Sequence, residues 1–117
     1  MKFLLSSLVL MAMTSTAFAA GNGKEIFERK CAKCHGAGGK GDGRHSDSLK
    51  TKPQDLTDKN KMSSITDEEL KVSIQKGGAG VTKEKFGHTI STEMEGYPDL
   101  PEADVGDLIA YIRAFAK

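Results

Sequence analysis

Two cysteines and a histidine lie within five residues of each other, in the run Cys31-Ala32-Lys33-Cys34-His35, and the sequence has no other cysteine. Thiols three residues apart on a helical turn face the same side, so both can form thioether bonds to the vinyl groups of one haem. The histidine that follows offers an imidazole nitrogen to the iron. The run is therefore typical of a c-type haem attachment site, with Cys31 and Cys34 as covalent links and His35 as proximal ligand.

Three other interpretations of the cysteine pair are open. A thioredoxin-like redox couple requires a βαβ context, and the sequence shows no convincing strand pattern. A zinc site requires two further ligands, usually a second closely spaced pair, whereas His45 and His88 are isolated from each other. A structural disulfide in an exported protein is the third. Haem attachment explains the histidine as well as both cysteines.

Residues 1–20 have the composition of a secretory signal peptide. Lys2 gives a positively charged start, an apolar run follows at 3–13, and Ala17-Phe18-Ala19 is an Ala-x-Ala cleavage site near residues 19/20. The apolar run is too short to span a membrane. We therefore expect export to the periplasm and a single mature domain of residues 21–117, without a membrane span.

The mature chain is expected to be electrically neutral. The full sequence has 17 Lys and Arg against 16 Asp and Glu, and residues 1–20 contain one basic residue, Lys2, and no acidic one. Nucleic-acid binding therefore lacks the basic surface that it requires. A small domain buries a limited core, and this one has no Trp, so a large apolar cofactor would supply much of its interior.

The segments on either side of the cysteine motif are expected to be a helix and a loop. Asn22 can cap a helix that begins at Gly23 and continues to the motif. Residues 36–43 read Gly-Ala-Gly-Gly-Lys-Gly-Asp-Gly, which predicts a loop. This run lacks the Gly-x4-Gly-Lys-[Ser/Thr] pattern of a phosphate-binding loop.

Pro53 is a candidate partner of His35 within the polar stretch 44–62. Metal-bound histidines usually donate their other ring N–H to an acceptor such as a backbone carbonyl, and the carbonyl of a proline in an extended segment is free to accept. An ordinary turn proline is an equal alternative at this position.

Two further helices are predicted in the second half of the chain. Thr66 and Glu69 form a capping box, and Gly77 ends the helix that follows. Pro101 suits the start of the last helix, whose apolar positions recur at helical spacing: Val105, Leu108, Ile109, Ile112 and Phe115. The order helix, glycine loop, helix, long loop, helix indicates an all-α domain.

The chain resembles the class I cytochromes c, particularly the small bacterial periplasmic ones, over essentially its whole mature length. The cysteine motif is the most specific part, and further similarity lies in Gly23 and Phe27 of the first helix and the run Leu108-Ile109-Ala110-Tyr111-Ile112 of the last. The resemblance implies the cytochrome c fold, with three to four helices and long loops wrapped around one covalent haem c.

The resemblance also implies a distal axial ligand, which in this family is a methionine between the third main helix and the last. Met94 occupies that place within the connection 79–100, and a thioether suits haem iron. The family commonly has proline after this methionine, whereas this chain has Glu95-Gly96-Tyr97. His88, in the same connection, is the rival ligand.

The function that we expect is transfer of single electrons between redox partner proteins, without catalysis by the polypeptide itself. A haem-based sensor or small-ligand-binding module is an alternative, as is the cytochrome subunit of a larger oxidoreductase. We expect a monomer that meets its partners transiently. The cationic side chains proposed for the docking rim are Lys33, Lys40, Lys50 and Lys52, and those available for the haem propionates are Arg44 and Lys52.

Overall fold

The structure is a computed structural model and describes residues 21–78 and 93–117. Two expectations fall outside these ranges, namely the signal peptide at 1–20 and the rival ligand His88. The described residues form helices joined by turns and loops and include no strand. None of the helices in the described ranges is long and apolar enough to cross a membrane. The expected all-α fold class is confirmed.

The first helical segment consists of three consecutive parts: α1 at Gly23–Ile26, a π-helical turn at Phe27–Cys31, and α2 at Ala32–His35. Asn22 precedes α1 but does not cap it with its side chain. Instead, its Nδ2 donates a hydrogen bond to Asp104 Oδ1 over 3.2 Å. The capping interaction expected for Asn22 is therefore wrong, because its side chain bonds to the last helix.

The middle of the chain is mainly loop, with a short 3₁₀ turn at Ser46–Ser48 and a helix, α3, at Lys59–Ser63. The sequence pattern did not predict α3. Its N-terminus is capped by Asp58, whose side chain accepts a hydrogen bond from the Lys61 N–H over 3.0 Å. Aspartate is a favoured N-cap residue, so Asp58 was the available signal for this helix.

The two longer helices match the predicted ones closely. Helix α4 spans Asp67–Lys76, with Thr66 accepting a hydrogen bond from the Glu69 N–H over 3.1 Å and Gly77 following its last residue. Helix α5 spans Glu102–Ala114. Each helix begins directly after the cap residue that predicted it. Thr66 accepts a hydrogen bond from an N–H group of the first turn of α4 that would otherwise be unpaired. Pro101 lacks a backbone N–H group, and none is required at the start of a helix.

The core lies where α1 and α4 pack against α5. Phe27 is completely buried and its ring centroid lies 5.4 Å from that of Tyr111 and 5.1 Å from that of Phe115. A Cβ atom on Gly23 would overlap the Asp107 carbonyl, so the close approach of α1 to α5 requires glycine there. This crossing fixes the position of the cysteine motif relative to the rest of the chain.

Arg113 joins the end of α5 to the region between α3 and α4. Its Nη1 donates to the Met62 carbonyl over 2.6 Å, its Nη2 donates to the Ile65 carbonyl, and its Nε donates to Asp67 Oδ1 over 3.0 Å. A guanidinium group can make all of these bonds at once because its donors are arranged in a fixed planar fork. Arg113 thereby holds α3 and the start of α4 against α5.

Candidate functional site

A cavity of about 490 Å³ lies beside the cysteine motif, which is within the roughly 300–1,000 Å³ range of small-molecule and cofactor sites. Cys31, Cys34, His35 and Met94 all contribute to its wall. The apolar side chains that line the same cavity are Phe27, Leu49, Pro53, Leu56, Met62, Ile65, Leu70, Ile74 and Ile112. The structure thus brings the proposed covalent links and both proposed axial ligands to one largely apolar chamber.

The π-helical turn sets the orientation of the cysteines. In it the Ala32 N–H donates to the Phe27 carbonyl, five residues earlier, so the turn is wider than an α-helical one. Phe27 packs among the aromatic rings of α5, while the side chains of Cys31 and Cys34 line the cavity. Before any thioether bond forms, burial raises the pKa of the Cys31 thiol to about 11.

His35 is oriented by a backbone carbonyl. Its Nδ1 lies 3.1 Å from the Gln54 carbonyl oxygen. A carbonyl can only accept a hydrogen bond, so Nδ1 must carry the proton and, in the neutral ring, Nε2 keeps its lone pair. Burial lowers the pKa of His35, although the bond to Gln54 opposes this effect. Burial therefore favours a neutral imidazole, and the bond from Nδ1 to Gln54 leaves Nε2 as the nitrogen that can bind a metal.

The acceptor for His35 is therefore not Pro53, and the assignment of the Pro53 carbonyl as its partner is wrong by one residue. The Pro53 carbonyl faces Gly41 instead, where a Cβ atom would lie 2.6 Å from its oxygen. Gly41 has a positive φ of 81°, a conformation that glycine adopts without strain. Pro53 still lines the cavity, so it forms part of the wall without bonding to His35.

The glycine-rich run closes the end of α2. The N–H groups of Gly41 and Gly43 donate to the carbonyls of His35 and Cys34 over 2.7 and 3.0 Å, respectively. The Leu56 N–H in turn donates to the Gly39 carbonyl over 2.7 Å. The loop thus satisfies carbonyls that a helix C-terminus leaves unpaired and brings residues 53–56 next to His35.

Met94 reaches the cavity from the segment 93–97, which is bound to the end of α4. The Gly78 N–H donates to the Met94 carbonyl over 3.0 Å, and the Tyr97 N–H donates to the Ile74 carbonyl over 2.8 Å. Gly77 and Gly96 lie against each other, and a Cβ atom on either would overlap the backbone of the opposite segment. These contacts place a half-buried Met94 at the cavity that His35 also lines.

Charged side chains on both sides of Met94 bond to other segments. Glu95 Oε2 lies 3.1 Å from Lys33 Nζ and 3.1 Å from the Tyr97 hydroxyl. Glu93 accepts hydrogen bonds from the backbone N–H groups of Lys50 and Thr51, over 2.9 and 3.3 Å to its Oε2. The hydrogen bond from Lys33 lowers the pKa of Glu95, so Glu95 is a carboxylate at neutral pH.

Met62 is a cavity residue that the sequence pattern did not single out. It is 2% exposed, belongs to α3 and lines the cavity. Its burial follows from α3 and from the bond of Arg113 to its carbonyl, neither of which was predicted. Met62 belongs to the buried apolar cluster. No local sequence pattern in the polar stretch 44–62 indicated that it would be buried.

The cationic side chains proposed for the docking rim and for the haem propionates divide into two groups in the structure. Lys33 and Lys52 line the cavity, whereas Lys40, Lys50 and Arg44 are exposed and do not line it. Lys33 is also paired with Glu95. Lys52 is therefore the residue of this set that combines exposure, a place at the cavity and suitability for either a propionate or a partner protein.

The donor set and the cavity fit a covalently held haem. Two thiols and an imidazole nitrogen lie on one helical segment, and a thioether from another segment lines the same cavity. Within the described ranges no group of three or more His, Cys, Asp and Glu residues could hold a metal ion, so a zinc site has no further ligands there. The same ranges contain no strand and hence no βαβ unit for a thioredoxin-like couple.

Comparisons with known proteins agree with this fit. The family model for cytochrome c matches residues 20–116. Cytochrome c-555 of Prosthecochloris aestuarii is 34% identical over 92 residues, which cover 78% of this chain and 82% of that protein. A chain of the reducing HAO-like protein complex of Kuenenia stuttgartiensis shares the fold with a TM-score of 0.59 and 24% identity; the match covers 81% of this chain and 41% of that one. The chain therefore belongs to the cytochrome c family.

Proposed function

We propose that this protein carries single electrons between redox partner proteins through one haem c, attached at Cys31 and Cys34 and ligated by His35 and Met94. The observation that carries the proposal is that all four side chains line one cavity. Membership of the cytochrome c family implies a covalent haem and haem-based electron transfer in general. When bound, the haem supplies a one-electron couple at its iron.

The polypeptide has three tasks in this proposal. Cys31 and Cys34 hold the group in place, the Gln54 carbonyl fixes the tautomer and ring direction of His35, and the segment 93–97 holds the Met94 thioether at the cavity. Apolar walls exclude water and so disfavour the more highly charged oxidised state. A neutral thioether acts in the same direction, and both effects raise the reduction potential.

Two axial side chains leave no open coordination position, which favours a carrier over a sensor or an enzyme. We propose that residues 1–20 are a signal peptide, that residues 21–117 act as a monomeric domain in the periplasm, and that partners dock transiently near the cavity mouth. N-terminal sequencing of the exported protein tests the first point, and an intact Met1 would contradict it.

The ligation is tested on protein matured with haem. A haem-stained denaturing gel should show covalent attachment, and the oxidised protein should show the weak absorption band at the red end of the spectrum that is typical of iron bound by methionine sulfur. Met94→Ala should abolish this band and allow the reduced protein to bind carbon monoxide. His88→Ala is the matched control and should change neither property.

Two outcomes would contradict the proposed ligation or the proposed function. An oxidised spectrum unaffected by Met94→Ala but altered by His88→Ala would assign the distal position to histidine. Ready binding of carbon monoxide by the unaltered reduced protein would instead favour a sensor or ligand-binding module over a carrier.

A further inference from the structure

The segment that contains Met94 lacks the proline that would stiffen it, yet it must hold a thioether in one place. Residues 94–97 read Met-Glu-Gly-Tyr, and Gly96 is the most flexible residue type in this position. Within the described ranges, the backbone bonds of Met94 and Tyr97 attach the segment to residues 74–78, and the Tyr97 hydroxyl also lies 3.2 Å from the Lys30 carbonyl oxygen. Neither attachment involves the side chains that flank Met94, so holding the thioether at the cavity depends on further contacts on each side of it.

We propose that the carboxylates of Glu93 and Glu95 are positioning groups that keep the Met94 thioether at the cavity in the absence of a following proline. The inference rests on the proposed ligation of the haem iron by Met94. Glu95 bonds to Lys33, which lies between the two haem-linking cysteines. Glu93 bonds to the backbone of Lys50 and Thr51 in the loop before Pro53.

The two carboxylates hold the segment from different directions. One side chain before Met94 and one after it reach separate parts of the structure, 43 and 62 residues away in sequence from their partners. Such a pair of attachments restricts rotation about the Met94 backbone in a way that neither bond does alone. The Tyr97 hydroxyl adds a further hydrogen bond to the Glu95 oxygen that faces Lys33, which holds that carboxylate in its pairing geometry.

The hydrogen bonds of Glu93 and Glu95 should affect the position of the segment around Met94 and contribute little to the stability of the whole fold. The side chains of Lys33 and Glu95 are 34% and 61% exposed, and exposed ion pairs add little to global stability. Neither carboxylate belongs to the buried core. Their removal should therefore leave the fold intact and change only the equilibrium between a segment that is seated at the cavity and one that has moved away.

Imidazole titration of the oxidised holoprotein measures that equilibrium. Imidazole occupies the iron only when Met94 has moved away, so its apparent affinity is proportional to the fraction of protein in which the segment is displaced. Glu95→Gln and Glu93→Gln should each raise this affinity about two- to fivefold. This factor corresponds to losing an exposed ion pair for Glu95 and to weakening charge-assisted hydrogen bonds from backbone N–H groups for Glu93. Glu25→Gln is the matched control, since it removes an exposed 3.5 Å ion pair with Arg29 on the first helical segment, far in sequence from Met94.

Exchanging the charges of Lys33 and Glu95 distinguishes a positioning role of this ion pair from a general effect of the substitutions on the structure. Lys33→Glu alone should raise the imidazole affinity, and Lys33→Glu combined with Glu95→Lys should return it toward the original value. Higher ionic strength should raise the affinity of the unaltered protein by screening the pair, and it should have a smaller effect on Glu95→Gln.

The possible failures are distinguishable. If the red absorption band depends on Met94 but Glu93→Gln and Glu95→Gln bind imidazole with unchanged affinity, the positioning role is overturned and the proposed ligation stands. If the unaltered protein has no band that depends on Met94, both the ligation and the positioning role are overturned.

Discussion

The Nδ1–H of His35 donates to the carbonyl of Gln54 over 3.1 Å, and this bond connects the haem-binding helix to the loop that follows the glycine-rich run. It involves only the backbone of Gln54, whose side chain turns away and donates to the Asp55 carbonyl. The bond therefore depends on where the loop lies and not on the identity of residue 54. The position of the loop depends in turn on Gly41, which lies against Pro53.

Replacement of Gly41 should disturb His35 from a distance. In Gly41→Ala, a Cβ atom would meet the Pro53 carbonyl on a backbone with φ of 81°, and the cost should be about 1–3 kcal/mol of unfolding free energy. Denaturant unfolding of the holoprotein measures this loss, and the reduction potential should shift as the Gln54 carbonyl moves. Gly38→Ala is the control, because no atom lies within 4 Å of its Cβ position. Equal stability of the two variants would contradict the prediction.

Removal of Arg113 should loosen α3 and α4 from α5. Arg113→Ala removes the guanidinium donor from the Ile65 carbonyl, whereas the Met62 carbonyl keeps its bond from the Ile65 N–H. An unsatisfied partly buried acceptor costs about 1–3 kcal/mol. Arg113→Lys should recover only part of this loss, since an ammonium group lacks the planar fork. Urea unfolding of the three proteins checks the order, and a lysine variant as stable as the original would argue against bidentate geometry.

Alanine substitutions of two glycines, one in α1 and one in α5, should change the unfolding free energy in opposite directions. Gly106 lies within α5 with no atom within 4 Å of its Cβ position, so Gly106→Ala should raise the unfolding free energy by about 0.5–1 kcal/mol through better helix propensity. Gly23→Ala should instead lower it, because the new methyl group meets the Asp107 carbonyl. Thermal unfolding of both variants tests the close approach of α1 to α5, and stabilisation by both would refute it.

Among the proposed rim lysines, Lys52 should matter more than Lys40 for meeting an anionic redox partner. Lys52 lines the cavity and Lys40 does not, although both are exposed. At low ionic strength, Lys52→Gln should slow the bimolecular electron-transfer rate about two- to threefold, and the difference should vanish at high salt. Stopped-flow measurements across a salt series provide the test. A rate for the native partner that does not vary with salt would exclude charge steering by any of these residues.

The features of this protein that its sequence predicted correctly are those formed by residues close together in the chain. Cys31, Cys34 and His35 define their chemistry within five residues, and Thr66 begins α4 through a bond to a residue three positions away. The helical spacing of Val105, Leu108 and Ile112 predicted the buried face of α5, and all three are buried. Local signals of this kind were sufficient for the fold class and for membership of the cytochrome c family.

The hydrogen-bond partners of several side chains, and the full set of residues at the cavity, depend on contacts between segments that are distant in sequence. Asn22 has the side chain of a helix cap but bonds to Asp104 of α5, and the partner of His35 is Gln54 because the Pro53 carbonyl is placed against Gly41. Met62 reaches the cavity through α3, and Glu95 lies 3.1 Å from Lys33 across 62 residues of sequence. Sequence spacing specifies which atoms can bond, whereas the packing of α1 and α4 on α5 determines which of them come within hydrogen-bonding distance.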